Sequence, residues 1–133
     1  MIAINEINKS WSLLMPYIEA YKTKKQYEMS KKLLQELMKL NKEAKTEEII
    51  SFAKALAKQI ANYERRKLDI ADDADAKEVL GYLIKVHNLA QKDLPEIGSQ
   101  SLVSKILKGE RSLTTDHIKA LSARFNVSIE TWF

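Results

Sequence analysis

The chain has 133 residues, of which 45% are hydrophobic, with three Gly, two Pro and no Cys, a composition typical of a globular, mostly helical protein with one core or two small helical units. The absence of Cys excludes a disulfide scaffold, thiol chemistry and zinc ribbons. The net charge of +4 does not by itself indicate a nucleic-acid partner, because residues 1–70 carry 14 basic and 9 acidic side chains whereas residues 71–133 carry 8 and 9.

The first 15 residues carry a series of large apolar side chains, which predicts a short element that packs on a neighbour and ends at Pro16. They lack both the basic segment and the apolar core of a secretory signal, and no apolar run in the chain approaches the roughly 18 residues of a membrane span. We therefore expect a cytoplasmic protein with no membrane partner. The apolar residues of this element are Ile2, Ile4, Ile7, Trp11, Leu13 and Leu14.

Two longer helices are predicted to follow. Thr23 with Gln26 has the form of a capping box, and the apolar stripe after it predicts a helix to about residue 40. Thr46, followed by two glutamates that match the helix dipole, is a second N-cap candidate. The helix it begins has apolar side chains at spacings of three and four as far as about Arg65, and its opposite face is interpreted as solvated. The apolar residues of this third helix are Ile49, Phe52, Ala53, Leu56, Ile60 and Tyr63.

The stretch RRKLDIADDADAK, residues 65–77, changes from basic to acidic within a few positions. It is predicted to be a linker between an N-terminal helical region, residues 1–70, and a C-terminal domain, residues 71–133. Its aspartates resemble part of a calcium loop, but the Gly and the closing Glu of such a loop are missing. They are interpreted as a connector and the start of a helix.

The C-terminal domain is predicted to contain five short helices, which makes the whole chain all-α. They cover about residues 76–87, 91–97, 100–108, a segment capped by Thr114, and a last turn capped by Ser128. Gly109 and Asn126 occupy positions where a left-handed residue ends a helix. Trp132 and Phe133 are expected to pack across the domain and close it.

Residues 91–108 have the pattern of a helix-turn-helix, with Gly98 supplying the turn. Five apolar side chains would hold the two helices at an angle: Leu94, Ile97, Val103, Ile106 and Leu107. The outward face of the second helix would then carry hydroxyl, amide and ammonium groups without an acid: Ser99, Gln100, Ser101, Ser104, Lys105 and Lys108. Such groups can contact base edges and phosphates in a major groove, whereas an ordinary solvated helix corner usually mixes both charges.

The segment LAQKDLPEIGSQSLVSKILKGERSLTTDHIKALSARFNVSIETWF resembles the Xre/Cro (lambda-repressor-like) helix-turn-helix family. The shortened turn in DLPEIGS, with the pattern S.VS..L.G.R.LT after it, resembles more narrowly the HigA-type antitoxins of HigB–HigA toxin–antitoxin systems. A weaker resemblance extends upstream through QYE…KLLQELMKLN and IISFAKALAKQIANYE. It therefore covers most of the chain, with its specificity concentrated in residues 89–125.

The resemblance implies DNA contacts from Ser99, Gln100, Ser101, Ser104 and Lys105, and phosphate contacts from Gln91, Lys92 and Arg111. Lys108 belongs to the same outward face. Two positions depart from the family pattern. Ala90 replaces the usual Ser or Thr N-cap, and Pro95 lies in a helix of two turns, where it is tolerated only in the first turn.

The resemblance also implies an antitoxin that neutralises a HigB-like mRNA endonuclease and represses its own operon as a homodimer on palindromic half-sites. The N-terminal helices would bind the toxin or support dimerisation, and such toxins are generally basic. Because residues 1–70 are themselves basic, contacts to the toxin would be apolar or would use the acids Glu36, Glu43, Glu47, Glu48 and Glu64. The alternative is a stand-alone Xre-type repressor whose N-terminal helices serve dimerisation or bind an effector.

Catalysis is not expected, and neither is a cofactor or a metal. The two histidines, His87 and His117, lie in separate predicted helices. Asp116 and His117 are adjacent in a helix and so do not face one another, and no G-x-S-x-G motif is present. No cluster has the spacing of metal ligands, and no Gly-rich loop could bind a phosphate.

Overall fold

The computed structural model describes residues 1–133 and is entirely helical, which confirms the all-α prediction. Six α-helices and two 3₁₀ turns follow one another along the chain: α1 (Ile4–Ile18), α2 (Lys24–Met38), α3 (Glu47–Lys67), α4 (Ala76–Val86), a 3₁₀ turn (Gln91–Asp93), α5 (Gln100–Leu107), α6 (Thr115–Phe125) and a last 3₁₀ turn (Ile129–Trp132). The chain forms two compact units, Met1–Tyr63 and Glu64–Phe133. The boundary between them lies inside α3, ahead of residue 70.

The caps of the N-terminal unit follow from local chemistry. The backbone N–H of Gln26 donates to Thr23 Oγ1 at 3.2 Å, and the N–H of Thr23 donates to Gln26 Oε1 at 3.3 Å, so the capping box forms. The N–H of Ile49 donates to Thr46 Oγ1 at 3.3 Å, which confirms the second cap. The expectation that Pro16 ends the first element is wrong, because Pro16 lies inside α1 and the helix continues to Ile18.

The core of the N-terminal unit is small and aromatic. The rings of Tyr27 and Tyr63 stack with their centroids 4.5 Å apart, and Tyr21 lies against Tyr63 at 6.3 Å. Ile60 is buried with them, and Leu34 packs against the cluster. α1 contributes no buried residue.

The C-terminal unit has a larger apolar core, which includes the residues predicted to hold the two helices of the motif together. Leu94, Ile97, Val103 and Ile106 are buried, and Leu107 is partly buried against them. The full buried set is Ile70, Ala74, Val79, Leu80, Leu83, Leu94, Ile97, Val103, Ile106, Ile118, Leu121 and Trp132.

The predicted closure by the last two aromatic residues is half right. Trp132 is buried, and its indole N–H donates to Ser122 Oγ at 2.9 Å. Phe133 is 79% exposed, because it lies beyond the last 3₁₀ turn. A single aromatic residue therefore closes the domain.

The prediction that residues 65–77 form a linker is wrong. This segment belongs to the C-terminal unit and packs into its core. Arg65 is 4% exposed, and Ile70 and Ala74 lie in the core. The Arg65 guanidinium donates to five backbone carbonyls: those of Ala71, Asp72, Ala74, Thr131 and Phe133. The aspartates of the segment are therefore held on a fixed loop.

Glu64 fixes the last turn of the same unit. Its carboxylate accepts bonds from the backbone N–H of Ser128 at 2.8 Å, from Ser128 Oγ at 2.9 Å and from Thr131 Oγ1. Ser128 precedes the 3₁₀ turn, but its hydroxyl donates to Glu64 instead of capping the turn, so that predicted cap is wrong. Glu64 and Arg65 together join the end of α3 to the end of the chain.

Candidate nucleic-acid interface

The helix predicted over residues 91–97 is reduced to the 3₁₀ turn Gln91–Asp93 followed by an irregular turn. Pro95 explains the difference, because a proline disfavours the helical conformation in the residue before it. Leu94 accordingly has φ −118° and ψ 65°. Pro95 therefore lies after a shortened helix, not in the first turn of a longer one.

Side chains hold this irregular segment in place. Asp93 Oδ2 accepts a bond from the backbone N–H of Ala90 at 2.8 Å, which satisfies the helix start that lacks a capping side chain at Ala90. Arg124, in the last turn of α6, donates to the Asp93 carbonyl at 2.7 Å and to both carboxylate oxygens of Glu96 at 2.9 and 3.0 Å. The segment in front of α5 is thus tied to α6.

The turn and the ends of α5 form as the sequence predicts. Gly98 has φ +135°, a conformation that residues with a Cβ rarely adopt. The N–H of Leu102 donates to Ser99 Oγ at 3.2 Å, so Ser99 is the N-cap of α5. Gly109 has φ +80°, and the N–H of Glu110 after it donates to the Lys105 carbonyl at 2.9 Å, which closes the C-terminus.

Burial of Val103 and Ile106 turns the opposite side of α5 to solvent. The predicted contact residues are therefore accessible. Exposed among them are Lys92, Ser99, Gln100, Ser101, Lys105, Lys108 and Arg111, and partly exposed are Gln91 and Ser104.

The charges of this surface are arranged favourably for an anion. No ion pair of the structure involves Lys105, Lys108 or Arg111, so their charges are available to a ligand. α5 itself carries no acid. An exposed acid, Glu110, follows in the loop between the second and third of these cations. The surface formed by Ser99–Ser101, Ser104, Lys105, Lys108 and Arg111 is called the α5 surface below.

One further cation lies beside the α5 surface and was missed by the sequence reasoning. The Lys77 side chain packs over Gly109, with its Cδ, Cε and Nζ each 3.8 Å from the place a Cβ of residue 109 would occupy. Lys77 Nζ also bonds Asp75 Oδ2 at 2.9 Å, which raises the pKa of Lys77 and lowers that of Asp75. The contact between Lys77 and Gly109 could not be predicted from the sequence, because the two residues are far apart in the chain.

The histidines occupy structural positions. His117 Nδ1 accepts a bond from the N–H of Thr114 at 3.1 Å, and the N–H of His117 donates to Thr114 Oγ1 at 3.1 Å, so the pair forms a capping box. The ring of His87 lies against Phe125 with centroids 4.9 Å apart. The structure contains no group of His, Asp or Glu arranged to hold a metal ion. None of its helices is long and apolar enough to span a membrane.

Comparison with known proteins agrees with this geometry. Residues 87–132 match the model of the helix-turn-helix family. This part of the chain is a helix-turn-helix domain. Within it, the irregular segment after Gln91 leads into α5, which occupies the position of the second helix of the motif.

Curated relatives bear the name predicted from the sequence. The chain is 48% identical over 50 residues to Antitoxin HigA of Escherichia coli K12, and equally to Antitoxin HigA of E. coli O6:H1 (strain CFT073) and of Shigella flexneri. The resemblance to HigA antitoxins is thereby confirmed over those residues. The similarity covers 38% of this chain and spans 36% of the length of each relative, about a third.

Proposed function

We propose that this protein is an antitoxin of the HigA type, which represses its own operon by binding DNA through the α5 surface and neutralises a cognate toxin. The observation that carries the proposal is the arrangement of α5 in a helix-turn-helix domain. One side of this helix is buried in the core, and the other presents hydroxyl, amide and ammonium groups with no acid on the helix. Relatives named Antitoxin HigA support the same function.

The α5 surface has the chemistry to read a major groove. The Gln100 amide can form two hydrogen bonds with adenine, and Lys105 can reach guanine or a phosphate. Lys108 and Arg111, at the far end of α5 and in the loop after it, would contact the DNA backbone, which positions the domain without specifying sequence. Gln91 and Lys92 would contact phosphates from the other side of the turn.

The C-terminal unit has no net positive charge, so its attraction to DNA would depend on a local group of cations. Residues 71–133 have one more acid than bases, yet Lys105, Lys108 and Arg111 lie close together along the chain and are exposed. Lys77, packed over Gly109, would approach a phosphate only by exchanging its ion pair with Asp75. So few phosphate contacts per chain favour binding by two copies to half-sites about 34 Å apart.

Toxin neutralisation would fall to the N-terminal helices of residues 1–70. The proposed toxin is a HigB-like mRNA endonuclease of the RelE type, which is generally basic. Glu36, Glu43, Glu47 and Glu48 are exposed and could pair with it. Glu64 could not, because it is 5% exposed and bonded to Ser128 and Thr131. The earlier expectation for Glu64 is wrong.

The proposal is tested by a double substitution, Gln100→Ala with Lys105→Ala, and fluorescence anisotropy on the promoter DNA of its own operon. Each lost base contact costs about 1–3 kcal/mol, so the loss of two contacts should lower the affinity at least about 30-fold. Both side chains are exposed, so the thermal unfolding midpoint should stay within a few degrees. Lys85→Ala, an exposed cation on α4, is the control and should keep full affinity. Unchanged DNA binding by the double variant would refute the role of the α5 surface.

Neutralisation is tested separately by co-expression with the neighbouring gene. The double variant should still relieve the growth arrest caused by the toxin, because its N-terminal unit is untouched. The alternative is a repressor without a toxin. The family model matches only residues 87–132, so it assigns no role to the N-terminal helices. Operator binding without relief of any ribonuclease toxicity would establish that alternative.

A further inference from the structure

Lys77 lies where the start of α4 meets the C-terminal end of α5. Its side chain packs over Gly109, which stands in the chain between Lys108 and Arg111 of the α5 surface. Lys77, Gly109 and Arg111 also line one cleft of about 290 Å³, which is larger than a phosphate group needs. Two cations from distant parts of the chain are therefore placed together at one end of the α5 surface.

The charge of Lys77 is already matched by Asp75. One carboxylate oxygen, Asp75 Oδ1, accepts the backbone N–H of Glu78 at 3.0 Å and so caps α4. The other, Oδ2, accepts a bond from Lys77 Nζ at 2.9 Å. The structure contains no ion pair of Lys108 or Arg111. Among the three cations at this end of the α5 surface, Lys77 alone is paired with an acid.

The pair of Lys77 and Asp75 can be exchanged. The two side chains are 45% and 50% exposed, so water screens their attraction. Lys77 lies in the first turn of α4, where the helix dipole disfavours a cation. The lysine ammonium is carried on a flexible four-carbon stem. It can therefore turn from Asp75 to another anion without any movement of the backbone.

We propose that Asp75 competes with a DNA phosphate for Lys77 and thereby limits the affinity of this domain for DNA. In the free protein Lys77 bonds Asp75. In the complex its ammonium bonds a backbone phosphate, and Asp75 is left beside the DNA without its cation. The inference rests on the proposed function for its DNA partner and adds to it a residue that opposes binding. Because phosphate contacts carry no base information, Asp75 lowers the affinity for every sequence alike.

The test is Asp75→Asn in the full chain, measured by fluorescence anisotropy on the promoter DNA at about 50 mM salt. Asn caps a helix as well as Asp does, so α4 should keep its start while the charge that holds Lys77 is lost. The affinity should rise about three- to tenfold, and the slope of log affinity against log salt should steepen by about 0.9, as one more phosphate is neutralised. A purely structural role of Asp75 would change the thermal unfolding midpoint and leave the slope unchanged.

Two controls isolate the ion pair from the general effect of removing an acid. Glu78→Gln removes the same charge from the next acid of α4, which is exposed and forms no ion pair with Lys77. It should raise the affinity less than Asp75→Asn does. In a protein that already carries Lys77→Met, adding Asp75→Asn should give no more than the gain of Glu78→Gln, because no ammonium remains to be released. An equal gain from Asp75→Asn with and without Lys77 would overturn the proposal.

A random-sequence duplex of the same length separates this inference from the proposed function. The gain from Asp75→Asn should be the same on that duplex as on the promoter DNA. If the chain prefers the promoter DNA but Asp75→Asn gives no gain, the inference is wrong and the repressor function stands. Equal affinity for the two duplexes, with the gain present on both, would support the competition by Asp75 and refute operator recognition. Binding to neither duplex by any variant would refute both.

Discussion

Arg124 forms an ion pair with Glu96 at 2.9 Å and uses the same nitrogen, Nη1, to bond the Asp93 carbonyl at 2.7 Å. The side chains of Arg124 and Glu96 are only 30% and 21% exposed. These bonds from Arg124 restrain the segment before α5, as the backbone hydrogen bonds of a full helix would. Because Pro95 restricts the segment before α5 to a single 3₁₀ turn, few internal backbone bonds hold that segment, and α6 supplies the missing restraint.

We expect Arg124→Ala to destabilise the protein by about 1–2 kcal/mol, because it removes a charge-assisted bond to a carbonyl and a partly shielded ion pair. Urea unfolding would measure the change. Amide hydrogen exchange should also rise over residues 90–98, which Arg124 restrains. Arg124→Lys, which keeps the charge but offers a single ammonium group, should lose less. Unchanged exchange over residues 90–98 would show that the turn holds itself.

Arg65→Ala should cost about 3 kcal/mol or more in the free energy of unfolding. The guanidinium satisfies five carbonyls, several of them buried, and its removal leaves them without a protein donor. Arg66→Ala is the control, since Arg66 is the next residue and is exposed. We expect it to change the unfolding free energy by less than about 1 kcal/mol. Equal losses from the two variants would contradict the anchoring role of Arg65.

A fragment of residues 64–133 should fold cooperatively, whereas a fragment of residues 71–133 should be strongly destabilised or unfolded. The shorter fragment keeps the whole helix-turn-helix but loses Glu64, Arg65 and the buried Ile70. Heating each fragment while following circular dichroism would compare them. If both melt at the same temperature, the bonds of Glu64 and Arg65 to the last turn contribute nothing to stability.

Replacing Gly98 or Gly81 by alanine should change the stability of the protein in opposite directions. Gly98 has φ +135°, so Gly98→Ala should destabilise the protein by about 1–2 kcal/mol through backbone strain, although a Cβ there would meet Leu102 Cδ2 only at 3.5 Å. Gly81 lies inside α4, and a Cβ there would be 4.0 Å from Leu107 Cδ2. Gly81→Ala should therefore stabilise the protein by up to about 1 kcal/mol. Chemical denaturation of both variants checks the signs.

Burial raises the pKa of the Tyr21 phenol, whose hydroxyl donates to the Tyr17 carbonyl at 2.6 Å. Folding therefore favours the neutral phenol. The stabilisation this gives is fully present below the ordinary tyrosine pKa of about 10 and is lost as the pH rises through the higher pKa of the folded state. Stability should thus fall more steeply above about pH 10 in the unchanged protein than in Tyr21→Phe. Parallel pH profiles would contradict this.

Local signals in the sequence were sufficient to predict most helix ends. Thr23, Thr46 and Thr114 cap the helices that follow them, and Gly109 and Asn126 adopt the left-handed conformation expected of them. Each of these roles depends on neighbours within a few residues, so the pattern of residue types along the chain was enough to find them.

Long-range bonds could not be predicted in this way. The change from basic to acidic residues after Arg65 predicts a linker, but the Arg65 guanidinium donates to carbonyls up to 68 residues away. Ser128 is placed by the sequence to cap the last turn, yet its hydroxyl donates to Glu64, 64 residues earlier. The exposure of the α5 surface, by contrast, followed from the burial of Val103 and Ile106, which their spacing already indicated. Which of its side chains contact DNA stays a prediction.

The bonds of Glu64 and Arg65 to Ser128 and Thr131 also have a consequence for biosynthesis. They join the first residues of the C-terminal unit to its last turn, where Trp132 completes the core. During translation, this unit cannot close until that turn has left the ribosome, however early α4 and α5 emerge. The Met1–Tyr63 unit depends on no such late contact for its aromatic core, so it can fold first.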